Sequence, residues 1–145
     1  MKTLISLFTL FATLHFAGNA QAQVNFRGQV YGAYNFYASL QGNSCSIENF
    51  NRNQQQATFK IKVTSPEGLI LFGGDRVLSL ESSKNIINSY QLVSGPIETQ
   101  DGGSESEVQS LRAQNDGSLL FTVTYSKLNR SIFGGYKAGF NCSVK

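Results

Sequence analysis

The segment ATFKIKVTSPEGLILF, residues 57–72, decides the fold class of this chain. In residues 57–64 apolar side chains alternate with Thr and Lys, so an extended strand has one apolar and one polar face. Residues 65–68 follow with Pro and Gly at positions that turns accept, and residues 69–72 are again apolar. The segment therefore predicts two antiparallel strands joined by a turn.

The same alternation of apolar and polar side chains recurs along the chain. It predicts strands within residues 24–40, 77–80, 86–93, 119–125 and 136–145. The first of these stretches is long enough to bend or break at its glycines. The polar residues 49–56 are expected to form a loop. The fold class is therefore all-β, as a single antiparallel barrel or sandwich of about eight strands.

Residues 104–114 are compatible with two structures. Ser104 is followed three residues later by Glu107, a spacing that caps helices, and this predicts one short helix ending near Gln114. A strand that pairs with residues 119–125 fits the same residues. Both alternatives stay open at this point.

One short phrase occurs twice, as LFGGDR at residues 71–76 and as IFGGYK at residues 132–137. Similar apolar strands precede both copies, which indicates two hairpin-like units whose paired glycines bend or bulge a strand. On this interpretation the two bases are surface charges that add little to stability. The alternative is a phosphate or sulfate contact on backbone N–H groups and a base, formed by Gly73, Gly74 and Arg76 or by Gly134, Gly135 and Lys137.

The N-terminus has the features of a signal peptide. A short basic start precedes an apolar run at residues 4–17, and Ala20-Gln21-Ala22 offers small residues to a signal peptidase. We expect residues 1–22 to be a signal peptide and residues 23–145 a single all-β domain. The mature chain then has 123 residues, which is 145 minus 22. The protein is expected to be exported, to a periplasm or by secretion.

The composition of the mature chain excludes several kinds of chemistry. The cut removes His15, the only histidine, so neither a Ser-His-Asp triad nor a Cys-His pair can form. The net charge falls to +2, from 11 bases and 9 acids, and the bases form no stripe. We therefore expect no enzyme activity, no cofactor and no nucleic-acid partner. No later apolar run is long enough for a transmembrane segment.

Cys45 and Cys142 are the two cysteines, and an even pair in an exported chain predicts a disulfide. The bridge would close a loop of 98 residues, counted from Cys45 to Cys142 inclusive. In the chain-entropy account, such a loop stabilises the fold by about 4–5 kcal/mol.

Aromatic residues suggest where a ligand would bind. Most lie on the apolar faces of predicted strands, where they form a core or line a lumen that holds an apolar ligand. These are Tyr34, Phe36, Phe59, Phe121, Tyr125, Tyr136 and Phe140. Tyr31 and Tyr37 lie on the opposite face of the first strand, where they would form an aromatic platform for a sugar or peptide.

Metal binding has only a weak candidate, an acidic Gly-rich segment. Its carboxylates, Glu98, Asp101, Glu105 and Glu107, are oxygen ligands of the kind Ca²⁺ prefers. Their spacing does not match an EF-hand, and a solvated loop is the simpler interpretation. No metal site is therefore predicted.

These features favour a non-catalytic, exported binding or interaction module for an envelope or extracellular component. An alternative is a carrier of small apolar ligands with a β-barrel cavity. A further alternative is a hydrolase that uses carboxylates without His. A closed apolar cavity would favour the carrier, whereas an exposed aromatic groove would favour the binding module.

Overall fold

The chain folds into eight strands and a 3₁₀ helix in a computed structural model that describes residues 24–80, 89–100, 102–129 and 134–145. The strands are β1 (Val24–Tyr34), β2 (Ser44–Arg52), β3 (Gln56–Thr64), β4 (Ile70–Leu80), β5 (Ser89–Glu98), β6 (Ser104–Ala113), β7 (Leu119–Asn129) and β8 (Gly134–Val144). The 3₁₀ helix, Asn35–Leu40, connects β1 to β2. Consecutive strands pair antiparallel, and β8 closes the barrel against β1. The all-β prediction is confirmed, and the chain adopts the barrel rather than the sandwich.

The alternation in the opening segment places apolar side chains inside the barrel. In β3 the buried residues are Ala57, Phe59, Ile61 and Val63, and the residues between them are half-buried. β7 and β8 repeat this pattern with Leu119, Phe121, Val123, Phe140 and Val144. These side chains form one core cluster that fills the centre of the lumen.

The repeated phrase lies in the second strand of two hairpins, β3–β4 and β7–β8. β3 and β7 are four strands apart in an eight-stranded barrel, so they face each other across the lumen. The rings of Phe59 and Phe121 meet edge to face with centroids 5.6 Å apart. The two units thus build the core from opposite walls. Ile132 and Phe133 of the second copy lie outside the described residues.

Two predictions about the first part of the barrel were wrong. The first strand does not extend to Leu40 but ends at Tyr34, because Asn35 adopts the left-handed region with φ 56° and starts the 3₁₀ helix. The predicted loop at residues 49–56 is partly β2, a strand that the alternation did not reveal. Asn49 has φ 54° and the β2–β3 register shifts there, so the apolar alternation of β2 is interrupted.

The helical alternative for residues 104–114 is also wrong, and the strand alternative is correct. Residues 104–113 form β6, which pairs along its whole length with β7. Glu107 does not cap a helix start; its carboxylate accepts hydrogen bonds inside the barrel. The partner strand therefore decides the structure of this segment.

The predicted disulfide joins Cys45 of β2 to Cys142 of β8, with the two Cα atoms 6.2 Å apart. Both strands flank β1, and both cysteines are buried. Strands on either side of a third strand stand about 9–10 Å apart in a flat sheet, so the barrel wall curves sharply here. Gly28 lies in this curve, where an added Cβ would fall 1.7 Å from the carbonyl oxygen of Ser143.

The barrel wall is open between β4 and β5. The described parts of these strands share two residue pairs, Ser79 with Gln91 and Leu80 with Tyr90. From Leu78 back to Ile70, β4 pairs with β3 but with no described residue of β5. The two strands diverge, and the edge of β4 that faces β5 is left without a strand partner in the described part of the chain.

The predicted signal peptide, residues 1–22, lies outside the described residues, as does Gln23. Across the described ranges, no helix combines the length and the apolar character needed to span a membrane. The residues that the structure describes contribute to one barrel with one core.

Candidate ligand-binding site at the barrel mouth

The end of the barrel at which β1, β3, β5 and β7 finish is here called the mouth. The 3₁₀ helix crosses it and carries Phe36 and Tyr37. The side-chain amide of Asn35 donates to the carbonyl oxygen of Lys137, and the N–H of Phe36 donates to the hydroxyl of Tyr136 at 3.2 Å. These bonds tie the helix to β8.

Three aromatic rings lie together at the mouth and are called the aromatic rim: Phe36 and Tyr136, which are exposed, and Tyr125, which is half-buried. The planes of Phe36 and Tyr136 are within 18° of parallel, with centroids 6.1 Å apart. Tyr125 meets Phe36 edge to face at 5.3 Å. Phe36 is 52% exposed and Tyr136 is 43% exposed, so both rings present apolar surface to solvent.

Tyr37 points the other way, into the lumen. Its ring contacts Phe72 at 6.1 Å and Phe140 at 5.2 Å between centroids. Phe140 in turn contacts Phe121 at 6.3 Å. Aromatic contacts therefore run without interruption from the mouth to the centre of the core.

A polar network lies beneath the rim, on the inner faces of β4 and β6. Glu107 accepts hydrogen bonds from the hydroxyl of Tyr37 at 3.2 Å and from Nε2 of Gln109 at 2.6 Å. Nε of Arg76 donates to Oε1 of Gln109 at 2.7 Å, and the guanidinium lies 5.4 Å from the ring centroid of Phe72. Arg76 thereby links β4 to β6 across the open wall.

A second carboxylate, Glu105, accepts a hydrogen bond from the hydroxyl of Tyr125 at 2.6 Å. This bond, with burial and the charge of Glu105, raises the pKa of Tyr125 to about 12. Burial, followed by the charge and the hydrogen bond of Glu107, raises the pKa of Tyr37 to about 12. Both hydroxyls therefore remain protonated donors at any physiological pH.

The charges around the mouth balance. Glu105 and Glu107 project from β6, and Arg76 projects from β4. Lys127 of β7 is paired directly opposite Glu105, so it shares the inner face of the sheet. Two acids and two bases, with tyrosine hydroxyls and an amide, suit a neutral ligand that both donates and accepts hydrogen bonds.

The predicted platform of Tyr31 and Tyr37 is not brought together. Tyr31 lies on the outside of the barrel, in a surface pocket of about 470 Å³ shared with Leu120 and Ser143. Tyr37 is half-buried in the lumen. The predicted platform assumed that the strand continues through Tyr37. Because the 3₁₀ helix begins at Asn35, the alternation of the strand ends before Tyr37, and the two side chains point to different sides of the barrel wall.

The prediction that seven aromatic residues lie in a core or line a lumen was partly wrong. Phe59, Phe121 and Phe140 are buried, whereas Tyr34, Phe36 and Tyr136 are exposed. Sequence reasoning therefore missed the aromatic rim. A usable sign was present at Asn35, because Asn adopts the left-handed region more readily than most residues and can end a strand.

The two groups proposed for anion contact lie on different strands. Gly73, Gly74 and Arg76 belong to β4, whereas Gly134, Gly135 and Lys137 belong to β8. The expectation that Arg76 is a surface charge was wrong, because its guanidinium is held by Gln109 and by the carbonyl oxygen of Asp75. Lys137 is exposed. An anion contact at either pair stays a prediction.

The residues of the calcium alternative are only partly described. Asp101 lies outside the described residues, Glu98 pairs with Ser104, and Glu105 and Glu107 project into the mouth. Among the described residues, no three His, Cys, Asp or Glu side chains come together in a way that could hold a metal ion.

Comparison with known proteins gives no information about the family or the function of this chain. No protein-family model matches the chain, and neither the curated proteins nor the solved structures searched include a match. The chemistry of the mouth is therefore the basis on which a function is proposed.

Proposed function

We propose that this protein is a non-catalytic, exported binding module that holds a carbohydrate at the barrel mouth. The observation that supports this proposal is the aromatic rim, in which the near-parallel rings of Phe36 and Tyr136 are exposed beside the hydrogen-bonded pair of Tyr125 and Glu105.

A carbohydrate matches this combination of groups. One side of a sugar ring presents C–H groups, which pack against the flat apolar face of an aromatic ring. Its hydroxyls donate to carboxylates and accept from bases and amides, which the mouth supplies in balanced number. A ligand held in this way would be neutral, ring-shaped and rich in hydroxyls.

The described residues favour the mouth over a closed apolar cavity. The centre of the lumen is occupied by Phe59, Phe121 and Phe140, whose rings contact one another. A carrier of apolar ligands needs that space. The exposed rim instead leaves room for a ligand that remains partly in solvent.

The arrangement of carboxylates also favours binding over hydrolysis. Glycosidases place two carboxyl groups on opposite sides of the bond that is cut. Glu105 and Glu107 are two residues apart on the same face of β6, so both approach a ligand from one side. The buried disulfide is of the kind that exported proteins carry, which supports export.

The proposal is tested by measuring saccharide binding to the mature protein. We would screen monosaccharides and short oligosaccharides by glycan array and measure the affinities of the hits by calorimetry. Tyr136→Ala should weaken binding about tenfold or more, because it removes one stacking face. Tyr136→Phe should retain most of the affinity.

Tyr31→Ala is the matched control, because Tyr31 is 45% exposed but lies outside the barrel. It should leave binding unchanged. The proposal fails if no saccharide binds, or if Tyr31→Ala weakens binding as much as Tyr136→Ala does.

A further inference from the structure

The open wall between β4 and β5 continues the mouth as a cleft along one side of the barrel. The described parts of the two strands pair only as Ser79 with Gln91 and as Leu80 with Tyr90, at the end of the barrel away from the mouth. From these pairs the two strands diverge towards the mouth. The barrel is therefore open at its end and along this side.

The side chains of β5 show that the inner face of the sheet meets solvent here. Residues that are paired directly across antiparallel strands lie on the same face of a sheet. Leu92 is paired with Gln109, whose side chain belongs to the polar network inside the barrel, so Leu92 is an inner-face residue. It is nevertheless 38% exposed, and its outer-face neighbour Val93 is 54% exposed. β5 thus meets solvent on both faces, as expected of a strand that lines a cleft.

The exposure of the inner face falls with distance from the open wall. Beside Leu92 lie Gln109 of β6, which is 8% exposed, and then Val123 of β7, which is fully buried. Towards the mouth, the next inner-face residues of β5, Ser94 and Ile97, are exposed. The cleft therefore follows the inner face of β5 from Leu92 to the mouth, a length of roughly 15 Å at about 3.3 Å per residue.

The wall of the cleft that β6 forms is polar. Glu105 and Glu107 are half-buried and are paired with exposed residues of β5. At the end away from the mouth, the hydrogen bond from Arg76 to Gln109 crosses the gap and closes the cleft. At the other end, Glu105 accepts a hydrogen bond from the hydroxyl of Tyr125, which belongs to the aromatic rim. The rim and the cleft therefore form one continuous surface.

We propose that the carbohydrate held at the mouth is an oligosaccharide whose further units lie in this cleft, rather than a single sugar. One ring packs on the aromatic rim, and the units that follow it extend along β5 towards Leu92. This inference rests on the proposed function and adds the length of the ligand to it.

The two sides of the cleft match the two kinds of surface that each unit of a sugar chain repeats. Leu92 and Ile97 supply aliphatic contacts for C–H groups, and the carboxylates of Glu105 and Glu107 accept hydrogen bonds from hydroxyls. An alkyl chain in the same place would shield these carboxylates from water without offering them hydrogen-bond donors, which costs free energy. A neutral chain rich in hydroxyls is therefore the occupant that this lining favours.

Isothermal titration calorimetry of the mature protein with ligands of increasing length tests the inference. The probes are oligomers of glucose and of N-acetylglucosamine from a single unit to a hexamer, and octyl glucoside, in which an alkyl chain replaces the further units. The affinity should rise about tenfold or more between a single unit and the longer oligomers, and should level off once the cleft is filled. Octyl glucoside should bind no more tightly than glucose.

Two substitutions at adjacent residues of β5 separate the cleft from the outer surface. Ser94→Trp places a large ring on the inner face and should reduce the gain in affinity with length to less than about twofold. Val93→Trp is the matched control, because it adds the same ring to the outer face of the same strand, and it should leave the gain unchanged. Leu92→Ala changes the volume less and should lower the gain about threefold or more. A melting curve of each variant checks that the barrel is folded.

Equal affinities for single sugars and for their oligomers would overturn the inference and leave the proposed function standing. A comparable gain with octyl glucoside, a gain that persists in both Ser94→Trp and Leu92→Ala, or an equal loss in Val93→Trp would also overturn it. So would the failure of both oligomer series to bind at any length, and the glycan array would then still decide the proposed function. If no saccharide binds at all, the proposed function fails and the inference fails with it.

Discussion

At the scale of single residues, the repeated phrase does not have the same backbone conformation in its two copies. Gly74 and Gly135, which occupy the same place in the phrase, differ in φ. Gly74 has φ 136°, in the left-handed region that favours glycine. Gly135 has no such requirement, and an added Cβ there would meet only the carbonyl oxygen of Lys127, at 3.6 Å. The register shift in the β3–β4 ladder lies at Leu71, whereas Gly73 and Gly74 pair regularly with Lys62 and Ile61. A backbone conformation that favours glycine is therefore seen at Gly74 of the first copy and not at Gly135 of the second.

This difference gives a prediction for two matched substitutions. Gly74→Ala should lower the free energy of unfolding by about 1–2 kcal/mol, because a Cβ disfavours the backbone conformation. Gly135→Ala should change it by less than about 0.5 kcal/mol. Urea denaturation of both variants provides the measurement, and equal losses would contradict the assignment. If phosphate or sulfate raises the melting temperature and Lys137→Ala removes that gain, the anion hypothesis gains support instead.

The hydroxyls of two tyrosines should lose their protons only at unusually high pH. Their carboxylate partners and burial raise the pKa of Tyr37 and of Tyr125 to about 12, so the folded state holds these protons more tightly than the unfolded state. The stability that this contributes is fully present below about pH 10 and is lost as the pH rises towards 12. Ultraviolet titration of tyrosinate should show two late steps. Tyr37→Phe and Tyr125→Phe should each remove one of them, and an unchanged curve would contradict the assigned hydrogen bonds.

At the scale of elements, uninterrupted alternation separates the strands that sequence reasoning found from the one it missed. β3 and β7 alternate buried and half-buried residues over most of their length. β2 has only Cys45 and Ile47 as fully buried positions before Asn49 breaks the pattern. The short regular part of β2 explains why its strand character depends on pairing with β1 and β3.

The disulfide should make a large contribution to the stability of these elements. It joins β2 to β8 across β1 and closes a loop whose ends are 97 residues apart. Cys142→Ser should lower the free energy of unfolding by about 4 kcal/mol under oxidising conditions. Under reducing conditions the variant and the wild type should unfold alike. Similar stability of both proteins under oxidising conditions, or two free thiols in the native protein, would contradict the bridge.

On the scale of the whole molecule, each strand pairs with both of its neighbours in the barrel, but the number of paired residues differs greatly between strand pairs. The disulfide curves the wall around β1, whereas β4 and β5 separate after two pairs. The 3₁₀ helix covers part of the mouth and leaves the aromatic rim exposed. The exposed rim is the surface on which carbohydrate binding is proposed.

Export makes a prediction about the intact protein. If residues 1–22 are removed as a signal peptide, the exported protein begins at Gln23. Intact-mass measurement of protein recovered from the periplasm or medium checks this. Substituting Ala22 by a large residue should block cleavage at that position, because signal peptidases read small residues there. An exported protein that still carries Met1 would contradict the prediction.

The amino-acid sequence is enough to predict the all-β class, the pairing of the two cysteines and the inward face of the regular strands. These properties follow from local alternation and from the count of cysteines, so they need no knowledge of distant contacts. The absence of His from residues 23–145 was equally plain from the sequence. Each of these is a property of residues close together in the chain or of composition alone.

The positions at which the alternation stops, and the contacts of the residues that break it, depend on the folded barrel. Asn35 ends β1, so Phe36 became part of an exposed rim and Tyr37 entered the lumen. Glu107 fits a helix cap in the sequence, yet its partner is Tyr37, which is 70 residues away along the chain. Arg76 spans the open wall to Gln109 of β6. Such contacts form only when the barrel closes and when β4 and β5 diverge. Both events depend on strand pairing over the whole sheet, so they leave no local pattern in the sequence.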